Sequence, residues 1–430
     1  MTNIALIVLD TLRKDRFDEY FEWIPGLRFE NVYSTANWTA PSHASMFSGH
    51  YGSEIGVDAK SPALPDEPLL PRQLQKSGYT TRALSANHVA AAEHKFDQGF
   101  DEFIGPTQIL GGDANIFDWE KFQSNHSEIS DVKKYAIGVW KCLVDDCSTL
   151  PSLRAGFLIS QNKENKIGQD DSGAKSVLKT IQDTKFGKEE FLFVNLMEAH
   201  SPYDPPESYK TGNSQRVTIK NTFTGVSEPE EVRAAYDQSV KYLSDIYREI
   251  HEELSQTFDF IITVADHGEC LGENGYWGHA YGLFPEITHV PLVISGNGLD
   301  GTVETPASLI DVYQTILDLA DISGDSRGQS LLNGPEIIPR LAEYRGLLPF
   351  AQQSLKQLDL SDNKIGRHNN HLYAVIDSSG YGYERMDGYV GHAEQKHIDD
   401  IRNDLKEYTP KADTDVSDEM LGHLEDLGYM

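Results

Sequence analysis

Short apolar runs that alternate with helical patterns constrain the fold of this chain most strongly. Residues 4–9, 191–197, 258–265 and 290–294 form four runs that are apolar on both faces and bounded by polar turns. Runs of this length and composition are typical of strands buried in a mostly parallel sheet. Residues 69–77, 230–254 and 311–319 carry apolar side chains at helical spacing. The alternation predicts an α/β fold, a doubly wound α/β/α sandwich on a large, mostly parallel sheet.

Two regions depart from this alternation. Residues 105–185 carry little strand signal but contain an amphipathic stretch at 132–150 and a polar segment at 161–173. We expect a helical insertion there that is either a lid or pocket wall, or surface decoration. Further on, residues 371–377 and 381–386 flank a turn at Ser378-Ser379-Gly380, which predicts a β-hairpin. These features divide the chain into a main domain, 1–335, and a small C-terminal α+β subdomain, 336–430, that ends in acidic helical sequence.

The charge of the chain excludes one class of partner. Lys plus Arg minus Asp plus Glu is 37 − 67 = −30. Such a surface repels phosphate backbones, so we expect no nucleic-acid binding. The acidity suits either solubility, including solubility in a high-salt cytoplasm, or an acidic face that attracts a cation or a basic partner.

The same sequence carries no sign of export or of a membrane anchor. Three cysteines are too few for a disulfide framework in 430 residues. The chain runs directly into its first apolar stretch without a signal-peptide pattern, and no apolar run approaches the length of a spanning helix. We expect a cytoplasmic protein without a membrane span. The sequence leaves the oligomeric state open.

The ends of three predicted strands carry groups that can bind a metal. Asp10 follows the first strand, Glu198 and His200 follow the second, and Asp266-His267 follow the third. Ligands of such sheets bind beyond the carboxyl ends of the strands. A single Asp after a strand is often only a helix N-cap, but three such ends, two with His, are harder to explain that way. Mixed carboxylate and imidazole ligands favour zinc or manganese, with calcium and magnesium left open.

A hydroxyl residue stands at the start of another predicted helix. In the segment Asn37-Trp38-Thr39-Ala40-Pro41, Pro41 suits the first helical turn, and Thr39 lies where the helix dipole favours negative charge. Bound to a cation, a threonine hydroxyl becomes a usable nucleophile. Taken alone, however, the segment fits a Thr39 that is only an N-cap.

Together these segments resemble the sulfatase family of the alkaline phosphatase superfamily. The resemblance covers most of residues 1–332, in the order of the family's motifs. The matching segments are Asp10-Thr11-Leu12-Arg13, Thr39-Ala40-Pro41-Ser42-His43, Gly78-Tyr79-Thr80-Thr81, Gln98-Gly99-Phe100-Asp101, Glu198-Ala199-His200-Ser201-Pro202-Tyr203, Asp266-His267-Gly268-Glu269, Trp277-Gly278-His279, Val290-Pro291-Leu292 and Asp311-Val312-Tyr313.

The resemblance implies a role for each matching position, with residues 1–335 as the catalytic domain. The metal ligands would be Asp10, Thr39, Asp266 and His267, and Thr39 would also be the nucleophile. His200 and His279 would hold the substrate oxyanion or protonate the leaving oxygen. Substrate binding would fall to His43, Asn87 and His88. Each lone histidine also has an alternative as a buried structural residue.

Several positions differ from the sulfatase pattern. Sulfatases convert a Cys or Ser to formylglycine in a Cys-x-Pro-x-Arg setting, whereas this chain has Thr39 and His43 at the first and last of these positions. Thr11 replaces the second Asp of the first strand, Ala86 replaces a substrate-binding lysine, and His279 replaces another. These features, with the Glu269–Gly275 loop, resemble phosphoethanolamine and glycerol-phosphate transferases and nucleotide pyrophosphatases, which use an unmodified threonine.

These residues lead to one preferred function and three alternatives. The preferred function is metal-dependent hydrolysis of a phosphate mono- or diester through a covalent Thr39 intermediate. The alternatives are sulfate-ester hydrolysis, transfer of a phospho group to a glycan or lipid head group, and a binding protein without turnover. In each case the expected partner is a small anionic ester.

Overall fold

The computed structural model describes residues 2–66, 69–111, 115–124, 126, 131–145, 147–159, 171–296, 298–357, 362–406 and 408. The strands are β1 Ile4–Leu9, β2 Leu27–Tyr33, β3 Thr80–Ser85, β4 Glu102–Ile104, β5 Glu190–Leu196, β6 Phe260–Val264, β7 Cys270–Leu271, β8 Trp277–Gly278, β9 His289–Gly296, β10 Gly301–Val303, β11 Ala307–Ser308, β12 Arg340–Tyr344, β13 Leu372–Asp377, β14 Gly380–Arg385 and β15 Gly388–Gly391.

The helices are α1 Lys14–Tyr20, α2 Thr39–Ser48, α3 Gly52–Ile55, α4 Leu70–Lys76, α5 Pro106–Gly111, α6 Trp119–Ser124, α7 Asp131–Val144, α8 Thr149–Ile159, α9 Ala174–Asp183, α10 Ile219–Thr224, α11 Pro229–Leu254, α12 Pro285–Thr288, α13 Leu309–Leu319, α14 Pro349–Gln357, α15 Asp362–His368 and α16 Lys396–Asp404. Among the helices so described, none combines the length and apolar composition needed to cross a membrane.

A nine-stranded sheet forms the centre of the molecule. Its order is β10-β2-β9-β6-β1-β5-β3-β4, with β11 paired to β2. The pairings are parallel except for those of β9, which runs antiparallel to both β2 and β6. Strands β1 and β5 are buried along their whole length, as strands covered by helices on both faces must be. The predicted α/β sandwich is confirmed, with one reversed strand inside the sheet.

The sheet order brings the predicted metal-binding strand ends together. Strands β6, β1 and β5 are neighbours and run parallel, so the residues after their carboxyl ends share one edge of the sheet. Asp266, Asp10 and His200 therefore follow adjacent strands. Glu198 is an exception, because its Oε1 accepts a hydrogen bond from Ala174 N at the start of α9 (2.8 Å). It caps that helix.

The C-terminal region contains the predicted hairpin within a larger sheet. Strands β12, β13, β14 and β15 pair in that order and are antiparallel. The hairpin at β13–β14 is confirmed, while β12 and β15 were not predicted. A buried ion pair joins this sheet to the main domain: Arg340 Nη2 lies 2.7 Å from Asp311 Oδ1. The acidic sequence predicted to be helical up to Met430 lies largely outside the described residues.

Among its described residues, the region between β4 and β5 contains five helices, α5–α9, and no strand, in agreement with the predicted helical insertion. Helices α6, α7 and α8 share a small apolar cluster separate from the main core, formed by Ile116, Trp119, Phe122, Cys142, Ala155 and Ile159. Most of the polar segment predicted at 161–173 lies outside the described residues. The three cysteines are free thiols.

Candidate active site

Three buried side chains converge at the carboxyl edge of the sheet. Ligand atoms of Asp10, Asp266 and His267 all lie within 4.8 Å of one another, and none of these residues is exposed. Asp266 Oδ2 is buried and has no hydrogen-bond partner within the part of the chain described. Two carboxylates and an imidazole around an oxygen without a hydrogen bond fit a divalent cation.

The charges of this cluster support the same conclusion. Burial, and then the neighbouring charge of Asp10, raise the pKa of Asp266 well above its usual value. Burial also acts to raise the pKa of Asp10, but His267, His200 and His43 outweigh it, so this pKa is lowered. Two carboxylates this close and this deep repel one another when both are ionised. A bound cation would remove that cost.

Thr39 places its hydroxyl beside the cluster. Its Oγ1 lies 3.5 Å from His267 Nε2 and 3.5 Å from Asn87 Nδ2. Helix α2 begins at Thr39 itself, and Trp38 is the N-cap. The alternative in which Thr39 is the N-cap is therefore wrong. The hydroxyl is turned towards the possible ligands.

Hydrogen bonds to neighbouring protein groups fix the orientation of the candidate ligands. His267 Nδ1 donates to Gly268 O (3.0 Å), which leaves Nε2 facing Thr39. Asn87 Nδ2 donates to Asp10 Oδ2 (2.6 Å), so Asn87 lies between a candidate ligand and the candidate nucleophile. Metal-binding imidazoles and carboxylates commonly depend on such partners.

Thr11 is held in a rare backbone conformation at the same edge. Its φ is 61°, an unusual value for a β-branched residue. In this conformation Thr11 N donates to Asp266 Oδ1 (3.3 Å), and Thr11 Oγ1 donates to Asp10 Oδ1 (2.8 Å). The residue that replaces the family's second aspartate therefore ties the two candidate carboxylate ligands together.

His200 and His279 form a pair next to the cluster. Their ring centroids are 5.4 Å apart, and those of His267 and His279 are 4.5 Å apart. His200 Nδ1 donates to Ser201 O (2.6 Å). His279 Nδ1 lies 3.0 Å from Glu269 Oε1. Burial, followed by the charges of His267 and His200, lowers the pKa of His279 well below its usual value. In both rings, then, Nδ1 is engaged by a protein oxygen.

Glu269 is a site residue to which the sequence assigned no role. Its Oε2 accepts a hydrogen bond from the Tyr203 hydroxyl (2.8 Å), and its Oε1 faces His279. Burial raises the pKa of Glu269 to about 7. The carboxylate follows His267 by two residues, so the Asp-His-Gly-Glu motif held a signal for it. The contact of Glu269 with His279 could not be predicted from the motif, because the short β7–β8 ribbon determines where His279 lies.

Two predicted substrate-binding residues are deeply buried. His43 is fully enclosed, with Nδ1 3.0 Å from Thr39 O and Nε2 accepting from Asn195 Nδ2 (3.2 Å). Burial lowers the pKa of His43 to about 4. In this structure both ring nitrogens have protein partners, and the ring supports the first turn of α2. A contact between His43 and the substrate stays a prediction. His88 is 6% exposed and follows Asn87 at the same edge.

Comparison with known proteins shows the family of the chain. The sequence profile described as Sulfatase matches residues 3–322, which is 320 of the 430 residues. The chain belongs to the sulfatase family. It is an ester hydrolase of the alkaline phosphatase superfamily, and enzymes of this family are metal-dependent.

Relatives of this sulfatase-family chain carry more than one activity in their names. A choline-sulfatase of Rhizobium meliloti is 26% identical over 405 residues, covering 81% of this chain and 75% of that protein. A low-salt glycan biosynthesis sulfotransferase of Haloferax volcanii is 23% identical over 326 residues, covering 73% and 60%. The fold resembles that of a phosphonate monoester hydrolase from Silicibacter pomeroyi, with a TM-score of 0.60, 18% identity, and coverage of 90% and 87%.

Proposed function

We propose that this chain hydrolyses a phosphate mono- or diester through a covalent intermediate on Thr39. The observation that carries the proposal is the position of Thr39 Oγ1, 3.5 Å from His267 Nε2 at the edge of the three-residue cluster. Threonine cannot be converted to the formylglycine that sulfatases use. An unmodified hydroxyl at this position is suited to in-line attack on phosphorus.

The metal site would consist of Asp10, Asp266, His267 and the Thr39 hydroxyl. Carboxylate and imidazole donors favour zinc or manganese over calcium and magnesium. When bound, such a cation would lower the pKa of the Thr39 hydroxyl and offset negative charge on the transferring group.

The protein side chains supply the remaining steps. Thr39 Oγ1 forms a bond to phosphorus while the bond to the leaving oxygen breaks. His279 is suited to proton transfer, since Glu269 holds its Nδ1 and would stabilise the imidazolium that forms when Nε2 takes a proton. His200 can contact a non-bridging or leaving oxygen through Nε2. Water then attacks the phosphorus and the bond to Thr39 Oγ1 breaks, which releases phosphate from a monoester substrate or a phosphate monoester from a diester substrate.

Replacement of Thr39 tests the mechanism. Thr39→Ala should reduce turnover of bis-p-nitrophenyl phosphate by at least about a thousandfold, because the attacking oxygen is lost. Thr39→Ser is the matched control and should retain measurable turnover. Circular dichroism and metal content should show that Thr39→Ala remains folded and loaded. Turnover that survives the Ala substitution would contradict the mechanism.

A second candidate is chemistry on sulfate, by hydrolysis or by transfer to a glycan. The names of the choline-sulfatase and glycan sulfotransferase relatives favour it. A preference for p-nitrocatechol sulfate over bis-p-nitrophenyl phosphate would favour this candidate and count against phosphorus. Transfer of a phospho group to a glycan or lipid head group would appear as a product that carries the group on an added acceptor alcohol.

A further inference from the structure

The helical hairpin α7–α8 exposes an apolar surface. Ten large hydrophobic side chains are exposed in the described part of the chain, and six of them lie on these two helices. We call this set the outer face: Val139, Trp140, Leu143, Val144, Leu150 and Phe157. Leu143 is 61% exposed and Leu150 79% exposed. Single exposed hydrophobics are ordinary, but a contiguous set usually marks an interaction site.

The exposure of these side chains follows from the orientation of the two helices. Helix α7 turns Lys134, Gly138 and Cys142 inward and leaves Trp140 and Leu143 outside. Its packing partner is Trp119, which lies so close that a Cβ on Gly138 would come within 2.3 Å of the indole. An amphipathic helix on a monomer normally directs its apolar stripe inward. Here Gly138 and Cys142 face the protein on α7, and several of the largest apolar residues of the hairpin face away.

The size of the outer face fits a protein interface. Six large side chains that are 42–79% exposed present on the order of 600 Å² of apolar surface, at the upper end for a monomer and near the ~800 Å² that each partner contributes to a standard interface. Helix α8 adds Leu150 and Phe157 to the same hairpin, so the surface extends across both helices. The cluster around Trp119 lies on the inner side of the hairpin.

The local charge indicates which partner fits. Residues 131–159 contain Lys133, Lys134, Lys141 and Arg154 against Asp131, Asp145 and Asp146, or 4 − 3 = +1, whereas the rest of the chain carries −30 − 1 = −31. An anionic bilayer would be repelled by that remainder, and a basic partner would be drawn to other surfaces. A second copy carries the same acidic remainder, but a two-fold contact at this hairpin brings the two charge-balanced segments face to face.

We propose that the outer face of the α7–α8 hairpin is a homodimer interface. A two-fold arrangement places the same patch on both copies. Leu143 and Leu150, close to the turn of the hairpin, would be buried against their counterparts. Lys141 and Arg154 would then lie near acidic residues of the facing hairpin. In this arrangement the inserted helices serve assembly, and the proposal does not depend on the reaction catalysed.

Light scattering after size-exclusion chromatography tests the proposal on the full chain. The wild-type protein should have a mass of 2 × 48.1 = 96.2 kDa. Leu143→Glu combined with Leu150→Glu should reduce it to 48.1 kDa with kcat per chain unchanged. Ile337→Glu is the matched control, because Ile337 is 55% exposed and outside the hairpin. This variant should remain dimeric.

Other occupants of the outer face would give different results. A wild-type chain that is monomeric over roughly a hundredfold range of concentration would overturn the proposal. So would a Leu143→Glu/Leu150→Glu variant that stays dimeric. Sedimentation with phosphatidylglycerol vesicles separates the remaining cases: a monomer that binds vesicles indicates a lipid surface, and one that does not indicates that another segment of the chain covers the hairpin.

Discussion

Glu198 and Glu269 are two buried carboxyl groups near the same edge of the sheet, and their surroundings give them different roles. Burial, and then the charge of Asp171, raise the pKa of Glu198 to about 8, and its Oε1 caps α9. Glu269 instead contacts His279 and Tyr203. A carboxylate bonded to Nδ1 fixes the tautomer of an imidazole and stabilises its protonated form. Glu269 is therefore a positioning residue for His279.

Replacing Glu269 with glutamine should separate the effect on His279 from any effect on substrate binding. Glu269→Gln keeps the size of the side chain but loses the charge that stabilises a protonated His279. We expect kcat to fall by roughly 10- to 1000-fold with a much smaller change in KM. Steady-state kinetics on the metal-loaded enzyme measures both constants.

Glu198→Gln is the control for this prediction. Its pKa of about 8 keeps the Glu198 carboxyl largely protonated at neutral pH, so glutamine closely resembles the natural state. We expect kcat to stay near the wild-type value. Equal losses in both variants would show that buried charge at this edge matters generally and would contradict the specific role of Glu269.

The candidate metal-binding cluster could be predicted from the sequence better than the contacts that hold it. Asp10, Asp266 and His267 could be found because each follows an apolar strand, and parallel strands end at a common edge. The contacts of Asn87 with Asp10 and of Glu269 with His279 join residues from different segments. Such pairings depend on loop paths that no local periodicity encodes. The enclosure of His43 could not be predicted for the same reason, since it comes from the surrounding rings of Phe47, Phe96 and Phe193.

Among the helices, α11 packs against the sheet with a histidine in its last turn. His251 Nε2 lies 3.1 Å from Ser295 Oγ, near the end of β9, and its ring meets Trp23 edge-on at 5.7 Å. The side chain is buried, and burial lowers the pKa of His251 to about 4. The folded protein therefore holds this ring neutral across the range in which an unfolded chain protonates it.

This contact predicts a loss of stability in mild acid. The folded pKa is below the unfolded value of about 6.5, so the stabilisation is complete above about pH 6.5 and is lost as the pH falls towards 4, by up to about 3 kcal/mol. His251→Gln should reduce this dependence in urea unfolding measured across that range. His392→Gln, at an exposed position, should leave it unchanged. An unaltered pH dependence in His251→Gln would contradict the assignment.

The strands show where sequence reasoning about elements succeeds. Strand β1 was predicted with the bounds that the structure has, because all of its residues are apolar and buried. Strand β2 was missed, since Arg28, Glu30 and Asn31 interrupt its apolar pattern and it is only partly buried. The direction of β9 could not be predicted either, because a strand covered on both faces has the same apolar pattern in both orientations.

At the scale of the whole molecule, the net charge of −30 opposes compaction. Ion pairs relieve part of this repulsion locally, as where Arg13 contacts Asp15 and Glu273. With 67 acidic residues against 37 basic ones, 67 − 37 = 30 carboxylates would have no cationic partner even if every basic residue paired with one. Folded chains of this kind depend on counterions to screen like charges.

Salt should therefore stabilise the protein. Raising KCl from about 0.1 M to about 1 M shortens the screening length from about 10 Å to about 3 Å. We expect the Tm from differential scanning calorimetry to rise by several degrees. An equal osmolality of sucrose is the control for general exclusion effects and should raise Tm less. A Tm that stays constant or falls with KCl would show that the surface charges are already well separated.

The Arg340–Asp311 pair has a consequence for whether the C-terminal sheet can be separated from the main domain at the level of the gene. Asp311 Oδ2 also accepts from Ser308 N at the start of α13 (2.8 Å), and Glu343 N donates to Thr35 O (2.8 Å), just ahead of the Thr39 segment. Removing the C-terminal sheet would leave a buried carboxylate without its cation and the nucleophile loop without its neighbour. A gene truncated at residue 335, or one in which the sequence after it is exchanged for that of a relative, should therefore fail to give a stable enzyme.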